Sequence, residues 1–171
     1  MKVLFVEPPK DFWFVMGEYL PPPLGILELA AYLETRNKGV DIEVLDCQAE
    51  RVDWKELEKR IESFHPDVVA PSALATCNVY TMLRTLETAK KVDPDIITVV
   101  GGQHFTATAK ASLETYPEID VIVRGEGEQT LAELVQTLER RRPLSKVKGI
   151  SFKHKGKILH TPNRPLIDNL D

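Results

Sequence analysis

Five short apolar runs, each followed by an amphipathic stretch, set the tightest limit on what this chain can fold into. The runs are Val3–Val6, Val40–Leu45, Val68–Ala70, Ile96–Val100 and Val121–Val123. Between them, apolar residues recur at three- and four-residue spacing. Ile26, Leu29, Ala30 and Leu33 form one such set, and Trp54, Leu57, Ile61 and Phe64 a second. Val79, Met82, Leu83 and Leu86 form a third, and Leu131, Leu134, Val135 and Leu138 close the series. That period belongs to helices with one buried stripe. A weaker helix is predicted over Thr106–Thr115. Strands that alternate with helices must run parallel, with right-handed crossovers over both faces of one sheet. Val40–Leu45 alternates apolar with polar, as a half-exposed edge strand does, whereas Ile96–Val100 reads as a central strand. The predicted fold is therefore a flavodoxin-like, Rossmann-like doubly wound α/β domain with strand order 2-1-3-4-5.

Local signals agree with these boundaries. Asp53 followed by Glu56 predicts a helix N-cap, His65-Pro66 ends that helix, and Asp93-Pro94 ends the next. After Pro143 the pattern changes. Gly149–Phe152 and Lys157–His160 flank Lys155-Gly156, which predicts a small C-terminal β-hairpin. Residues 1–143 are expected to form the α/β domain and residues 144–171 a hairpin with a linker.

Charge narrows the partners. Residues 1–139 hold 13 basic and 24 acidic side chains, whereas residues 140–171 hold 9 basic and 2 acidic. An acidic body argues against a general nucleic-acid binder. The basic end reads as a solvated terminus, a nucleic-acid arm or a surface that meets another domain. No apolar run approaches the roughly 20 residues that a membrane span needs. The opening run meets Glu7 too soon for a signal peptide, so a cytoplasmic location is expected. Cys47 and Cys77 form neither a metal pattern nor a disulfide framework.

Ligands in such sheets bind beyond the carboxyl ends of the strands, at the switch between strands 1 and 3. Four loops are therefore candidates. The first, from Pro8 to Pro23, carries Phe12, Trp13, Phe14, Val15, Met16, Tyr19 and Leu20. So much apolar surface in a loop covers a flat ligand, another domain or the loop's own core. The second, Pro71–Thr76, has small residues and two hydroxyls, Ser72 and Thr76; Thr76 or Asn78 also reads as a helix cap. The third, Gly101-Gly102-Gln103-His104-Phe105-Thr106, pairs glycines that allow positive φ and close backbone approach. His104 there reads either as a ligand or metal contact or as a cap or surface residue. The fourth, Arg124-Gly125-Glu126-Gly127-Glu128, superficially resembles a phosphate loop. Its two glutamates would repel a pyrophosphate; they suit the positive end of a helix, or accept hydrogen bonds from amides or a ribose.

Other occupants of this fold are disfavoured. A receiver domain needs a phosphorylatable Asp after strand 3 and a Lys after strand 5, where this chain has Pro71-Ser72 and Arg124-Gly125. A flavodoxin needs a hydroxyl-rich loop where this chain has prolines and aromatics. No nucleophile–base pair stands out, which disfavours a free-standing hydrolase.

Taken together, Ser72-Ala73-Leu74 and Gly101-Gly102 resemble the SxL and GG elements of cobalamin-binding domains. Pro22-Pro23-Leu24-Gly25, Gly101–Thr106 and Gly125-Glu126-Gly127-Glu128 resemble the N-terminal domain of cobalamin-dependent radical SAM enzymes. The stretch from Thr161 to Asp171 is similar to the link into their catalytic barrel. The resemblance implies a corrinoid over the carboxyl edge of the sheet, its nucleotide tail running beside strands 1, 3 and 4. It implies cofactor contacts from Pro22, Pro23, Ser72, Ala73, Leu74, Thr76, Gly101, Gly102, His104, Phe105, Thr106, Gly125, Glu126, Gly127 and Glu128.

Two departures matter. The DxHxxG motif is absent, because the first strand runs into Glu7-Pro8-Pro9-Lys10-Asp11-Phe12. This implies a base-off corrinoid whose cobalt has no protein histidine beneath it. The cluster-binding CxxxCxxC is absent too. S-adenosylmethionine and a 4Fe-4S cluster are thus expected only in a radical SAM barrel in cis, and this chain alone is expected to be inactive. The chain is expected to be an excised domain or a solitary corrinoid carrier. The implied parent is most readily a methyltransferase, with a ring-forming cyclase as a variant; the rival reading is a non-catalytic interaction or sensor domain.

Overall fold

The computed structural model describes residues 1–9, 21–71 and 76–167, apart from the side chain of Cys77. The aromatic loop Phe12–Leu20, the Ser72-Ala73-Leu74 element and residues 168–171 lie outside the described residues.

The strands are β1 (Lys2–Glu7), β2 (Asp41–Asp46), β3 (Val68–Pro71), β4 (Ile97–Val100), β5 (Val121–Val123), β6 (Ile150–His154) and β7 (Lys157–His160). The helices are α1 (Leu24–Arg36), α2 (Trp54–Phe64), α3 (Val79–Val92), α4 (Gly102–Thr115) and α5 (Glu128–Glu139). The sheet order is β2-β1-β3-β4-β5-β6-β7. The first five strands are parallel in the expected order, with β2 at the edge.

The hairpin forms as expected and extends this sheet. β6 pairs antiparallel with β5, placing Phe152 opposite Val121 and Ile150 opposite Val123. Its turn residues Lys155 and Gly156 both have positive φ, 50° and 74°, which matches the twist of a two-residue hairpin.

Strand alternation divides the core. Val3, Phe5, Val68, Ala70, Val99 and Val123 face α1 and α5. Leu4, Val6, Leu45 and Val69 face the opposite layer, where they meet Leu57 and Ile61 of α2. Val100 and Ile122 meet α3 and α4 on that same side. Thr98 interrupts the apolar run of β4 yet is fully buried. Its hydroxyl donates to the Glu118 carbonyl at 2.5 Å, and its N–H donates to Asp120 at 2.9 Å. Burial is tolerated there because the polar group is satisfied.

Caps account for several boundaries. The Asp53 carboxylate accepts from the Glu56 N–H at 2.8 Å, and His65 ends α2 with φ 52° before Pro66. The structure corrects the start of α4. Gly101–Thr106 reads as a loop in sequence, but α4 begins at Gly102, because φ of +84° there turns the chain directly into the helix. Thr108 interrupts the helix (φ −109°, ψ 16°), and its hydroxyl donates back to the His104 carbonyl at 2.8 Å. Such back-bonding bends helices, which accounts for the weak helical signal of this stretch.

Candidate functional site

The carboxyl ends of β3, β4 and β5 open into a cavity of about 360 Å³ on the α1/α5 side of the sheet. Phe5, Ala70 and Val99 line it from the strands, and Ile26, Leu29 and Leu131 from the two helices. Gly25, Gly101, Gly102, Gly125 and Gly127 surround them.

These glycines do different work. Gly102 and Gly125 have φ of +84° and +74°, where a side chain is strained. Gly101 is extended, but a Cβ there would stand 3.3 Å from the Val123 carbonyl oxygen. A Cβ on Gly127 would come within 2.9 Å of Leu29, so α1 and α5 approach closely at that point. Beside Gly25 and Gly125 a Cβ would meet open space, so part of the cavity wall is bare backbone.

Several charged residues at and near the cavity are tied to the chain that follows. The Glu126 carboxylate accepts from the Ile167 N–H at 2.6 Å. Arg124 donates to Asn163 Oδ1 at 2.6 Å and to the carbonyls of Ile150 and Thr161. Burial lowers the pKa of Arg124 from its ordinary value. Arg164 pairs with Glu133, and its Nε donates to Thr130 Oγ1 at 2.9 Å. Residues 161–167 are thereby held along β5, β6 and α5, against the cavity wall. Among the described residues, only two buried side-chain polar atoms lack a hydrogen-bond partner, Arg124 Nε and Glu128 Oε2.

Of the residues singled out in sequence, Gly101, Gly102, Gly125, Glu126, Gly127 and Glu128 line the cavity. The others stand elsewhere. Pro22 and Pro23 lead into α1, their carbonyls accepting from the N–H groups of Leu24, Ile26 and Leu27. Thr76 is exposed on a short 3₁₀ turn before α3. His104 is half-buried, its ring edge-on to Phe105 at 5.1 Å. Phe105 is 1% exposed and packs with Leu113, Ile119 and Ile122, away from the cavity. The Thr106 hydroxyl accepts from the Gly125 N–H at 3.1 Å and so braces one glycine loop against the other.

Sequence reasoning missed the apolar lining: Phe5, Ile26, Leu29, Ala70, Val99 and Leu131. The signal was present in strand alternation, since Phe5, Ala70 and Val99 all point to the α1/α5 face.

None of the four histidines lines the cavity. His65 ends α2, His104 lies on α4, and His154 and His160 belong to the hairpin, where His160 Nδ1 meets Ser151 Oγ at 2.8 Å. Among the described residues no group of His, Cys, Asp and Glu is placed to hold a metal ion.

Cys47, just beyond β2, is buried. Desolvation, reinforced by Asp46, Glu50 and Glu7, pushes its thiol up to about 12. The reactive thiolate is therefore scarce at neutral pH. In a Cys77→Ala background, a disulfide-exchange reagent at pH 8 is expected to leave Cys47 unlabelled in native protein and to label it after unfolding. Rapid native labelling would contradict this environment.

Comparisons with known proteins agree with the fold. The chain is 36% identical over 173 residues to an uncharacterized methyltransferase of Pyrococcus horikoshii, covering 100% of this chain and 37% of that protein. It is 35% identical over 177 residues to the anaerobic magnesium-protoporphyrin IX monomethyl ester cyclase of Rubrivivax gelatinosus, covering 100% of this chain and 31% of that one. The chain thus spans about a third of the length of these relatives. Its fold is that of part of the radical S-adenosylmethionine methyltransferase TsrM from Kitasatospora setae, solved with cobalamin and a 4Fe-4S cluster bound. The TM-score is 0.76 at 24% identity, over 99% of this chain and 30% of that chain. The cobalamin-dependent radical enzyme OxsB, with aqua-cobalamin and S-adenosylmethionine bound, gives a TM-score of 0.75 at 22% identity, over 96% of this chain and 22% of that chain. The family model for the B12 binding domain matches residues 16–135, well over half of the sequence, and the chain belongs to that family.

Proposed function

We propose that this chain is the cobalamin-holding part of a radical SAM enzyme, a methyltransferase in preference to a ring-forming cyclase. The observation that carries this reading is the glycine-walled cavity of about 360 Å³ at the carboxyl edge of the sheet, between α1 and α5. Its apolar lining and bare backbone suit a flat aromatic base with its sugar. A corrin ring is too broad to enter it. Gly101 and Gly102 let the nucleotide tail pass beside β4, and Gly125 leaves the facing wall bare. Ser72, Ala73 and Leu74, which follow Pro71 in the sequence, are candidates to meet the tail after β3. Thr106 supports these contacts by accepting from the Gly125 N–H.

Bound there, the corrinoid supplies a cobalt centre able to carry a methyl group. The chain's own residues would hold the tail and exclude water from the base, and none of its four histidines lines the cavity. S-adenosylmethionine and the 4Fe-4S cluster belong to a barrel domain in cis. Residues 144–171 lead toward that domain, and Arg124, Glu126 and Arg164 hold residues 161–167 against the corrinoid domain. A cytoplasmic protein without a nucleic-acid partner fits this reading. No helix among the described residues is long and apolar enough to cross a membrane.

Equilibrium dialysis against hydroxocobalamin tests the proposal. One pigment per chain is the expected result, and a protein that retains none overturns it.

A further inference from the structure

Residues 161–167 form a strap held mainly by side chains. Its first two residues still belong to the hairpin: the Thr161 N–H donates to the Ile150 carbonyl, and the Pro162 carbonyl accepts from Gly149. Beyond Pro162 no backbone–backbone hydrogen bond holds the strap among the described residues. It has no apolar anchor there either, since Pro165 is exposed and Leu166 is 72% exposed. Side-chain contacts do the holding instead. Arg124 donates to Asn163 Oδ1, and the Glu126 carboxylate accepts from the Ile167 N–H. Arg164 pairs with Glu133 and donates to Thr130 Oγ1. A segment with so few buried contacts and ladder bonds opens locally at low free energy.

Two of the anchors, Arg124 and Glu126, flank Gly125 in the loop between β5 and α5, and Gly125, Glu126 and Gly127 line the cavity. This loop has no regular secondary structure. Thr106 braces it from α4 through the Gly125 N–H, and the strap braces it from the other side. The cavity and the strap therefore share one wall. We infer that docking of residues 161–167 and filling of the cavity are coupled through this loop: the strap tightens when the corrinoid is bound, and the corrinoid binds more weakly when the strap is released. The inference rests on the cobalamin reading above. A ligand that packs against the wall fixes the loop. A fixed loop then holds Arg124 and Glu126 in place for the strap with less conformational freedom left to lose. The coupling is reciprocal, so the factor by which bound ligand favours the docked strap is the factor by which the docked strap favours the ligand.

The test uses the 171-residue chain, hydroxocobalamin, and the variants Arg164→Gln and Glu133→Gln. Neither residue lines the cavity, so an effect on affinity has to travel through the strap. Hydrogen exchange is followed at two amides. Ile167 reports the docked strap, and Thr161 reports the hairpin. In the parent, saturating hydroxocobalamin is expected to slow exchange at Ile167 by about fivefold or more, the lower end of typical couplings between sites. Both variants are expected to speed exchange at Ile167, to leave Thr161 at the parent rate, and to weaken hydroxocobalamin binding by up to that same factor. Bound pigment with no slowing at Ile167 overturns the coupling. So does a variant that releases Ile167 and keeps the parent affinity. Equal acceleration at Ile167 and Thr161 makes the effect one of the whole fold and overturns it as well, as does exchange at Ile167 that stays at the parent rate in both variants. If the parent binds no pigment, the cobalamin reading itself fails and the coupling falls with it, an outcome distinct from the others.

Discussion

Valine in place of Gly102 is expected to lower both fold stability and corrinoid affinity. Gly102 has φ of +84° and starts α4, and it lines the cavity. A β-branched residue is a genuine outlier at that φ, and holding a non-glycine residue there costs about 1–3 kcal/mol. For a chain of this size each kcal/mol moves Tm by roughly 2–4 °C, so the loss is directly measurable. The added methyl groups also occupy space beside the ligand. Overpacking of that kind costs about 1–3 kcal/mol, a tenfold to hundredfold loss of affinity if it falls on the bound state alone. Gly102→Ala shares the φ penalty with less bulk, so it separates backbone strain from obstruction. Calorimetry for Tm and a hydroxocobalamin titration decide the matter. Unchanged affinity in a folded Gly102→Val protein would mean that the tail does not pass this backbone.

Truncating Phe105 to alanine is expected to be more damaging to the fold and, per folded molecule, harmless to the site. The ring is 1% exposed and packs with Leu113, Ile119 and Ile122 between α4 and the sheet. Phe→Ala in such a core costs about 3–5 kcal/mol, through lost burial and the cavity left behind. Phe105→Leu conserves more of the volume and is expected to cost far less. Denaturant unfolding gives both values. Corrinoid affinity in Phe105→Leu is expected to match the parent, because this side chain does not line the cavity. A tenfold weakening in that folded variant would restore Phe105 as a ligand contact.

Phe105 also marks the boundary of what could be read from the chain. As a residue type after Gly101-Gly102 it looked like part of a ligand loop. Its direction depended on where α4 began, and that depended on one backbone angle at Gly102. The same holds for Thr106, whose hydroxyl turns to the Gly125 N–H. Pro22 and Pro23, singled out by the same motif logic, position the start of α1. By contrast, Gly101, Gly125 and Gly127 were legible because a glycine at a strand end signals either a left-handed turn or a close backbone approach. Phe5, Ala70 and Val99 were overlooked because each is an ordinary core residue until two helices leave a gap over it.

What the sequence determined by itself was the sheet order, the helix faces and the edge of the sheet on which to look. Those follow from local periodicity and from the handedness of parallel crossovers, which hold wherever the chain repeats them. Tertiary structure alone decided three things. The hairpin joined the sheet beside β5, Glu126 was taken by Ile167, and Glu128 was left with an unfilled oxygen. Each depends on partners dozens of residues away meeting in one geometry. Glu126 and Glu128 are two residues apart on one loop, and no local pattern separates them. Only the path of residues 161–167 gives the first a donor, and the second keeps a buried oxygen without one.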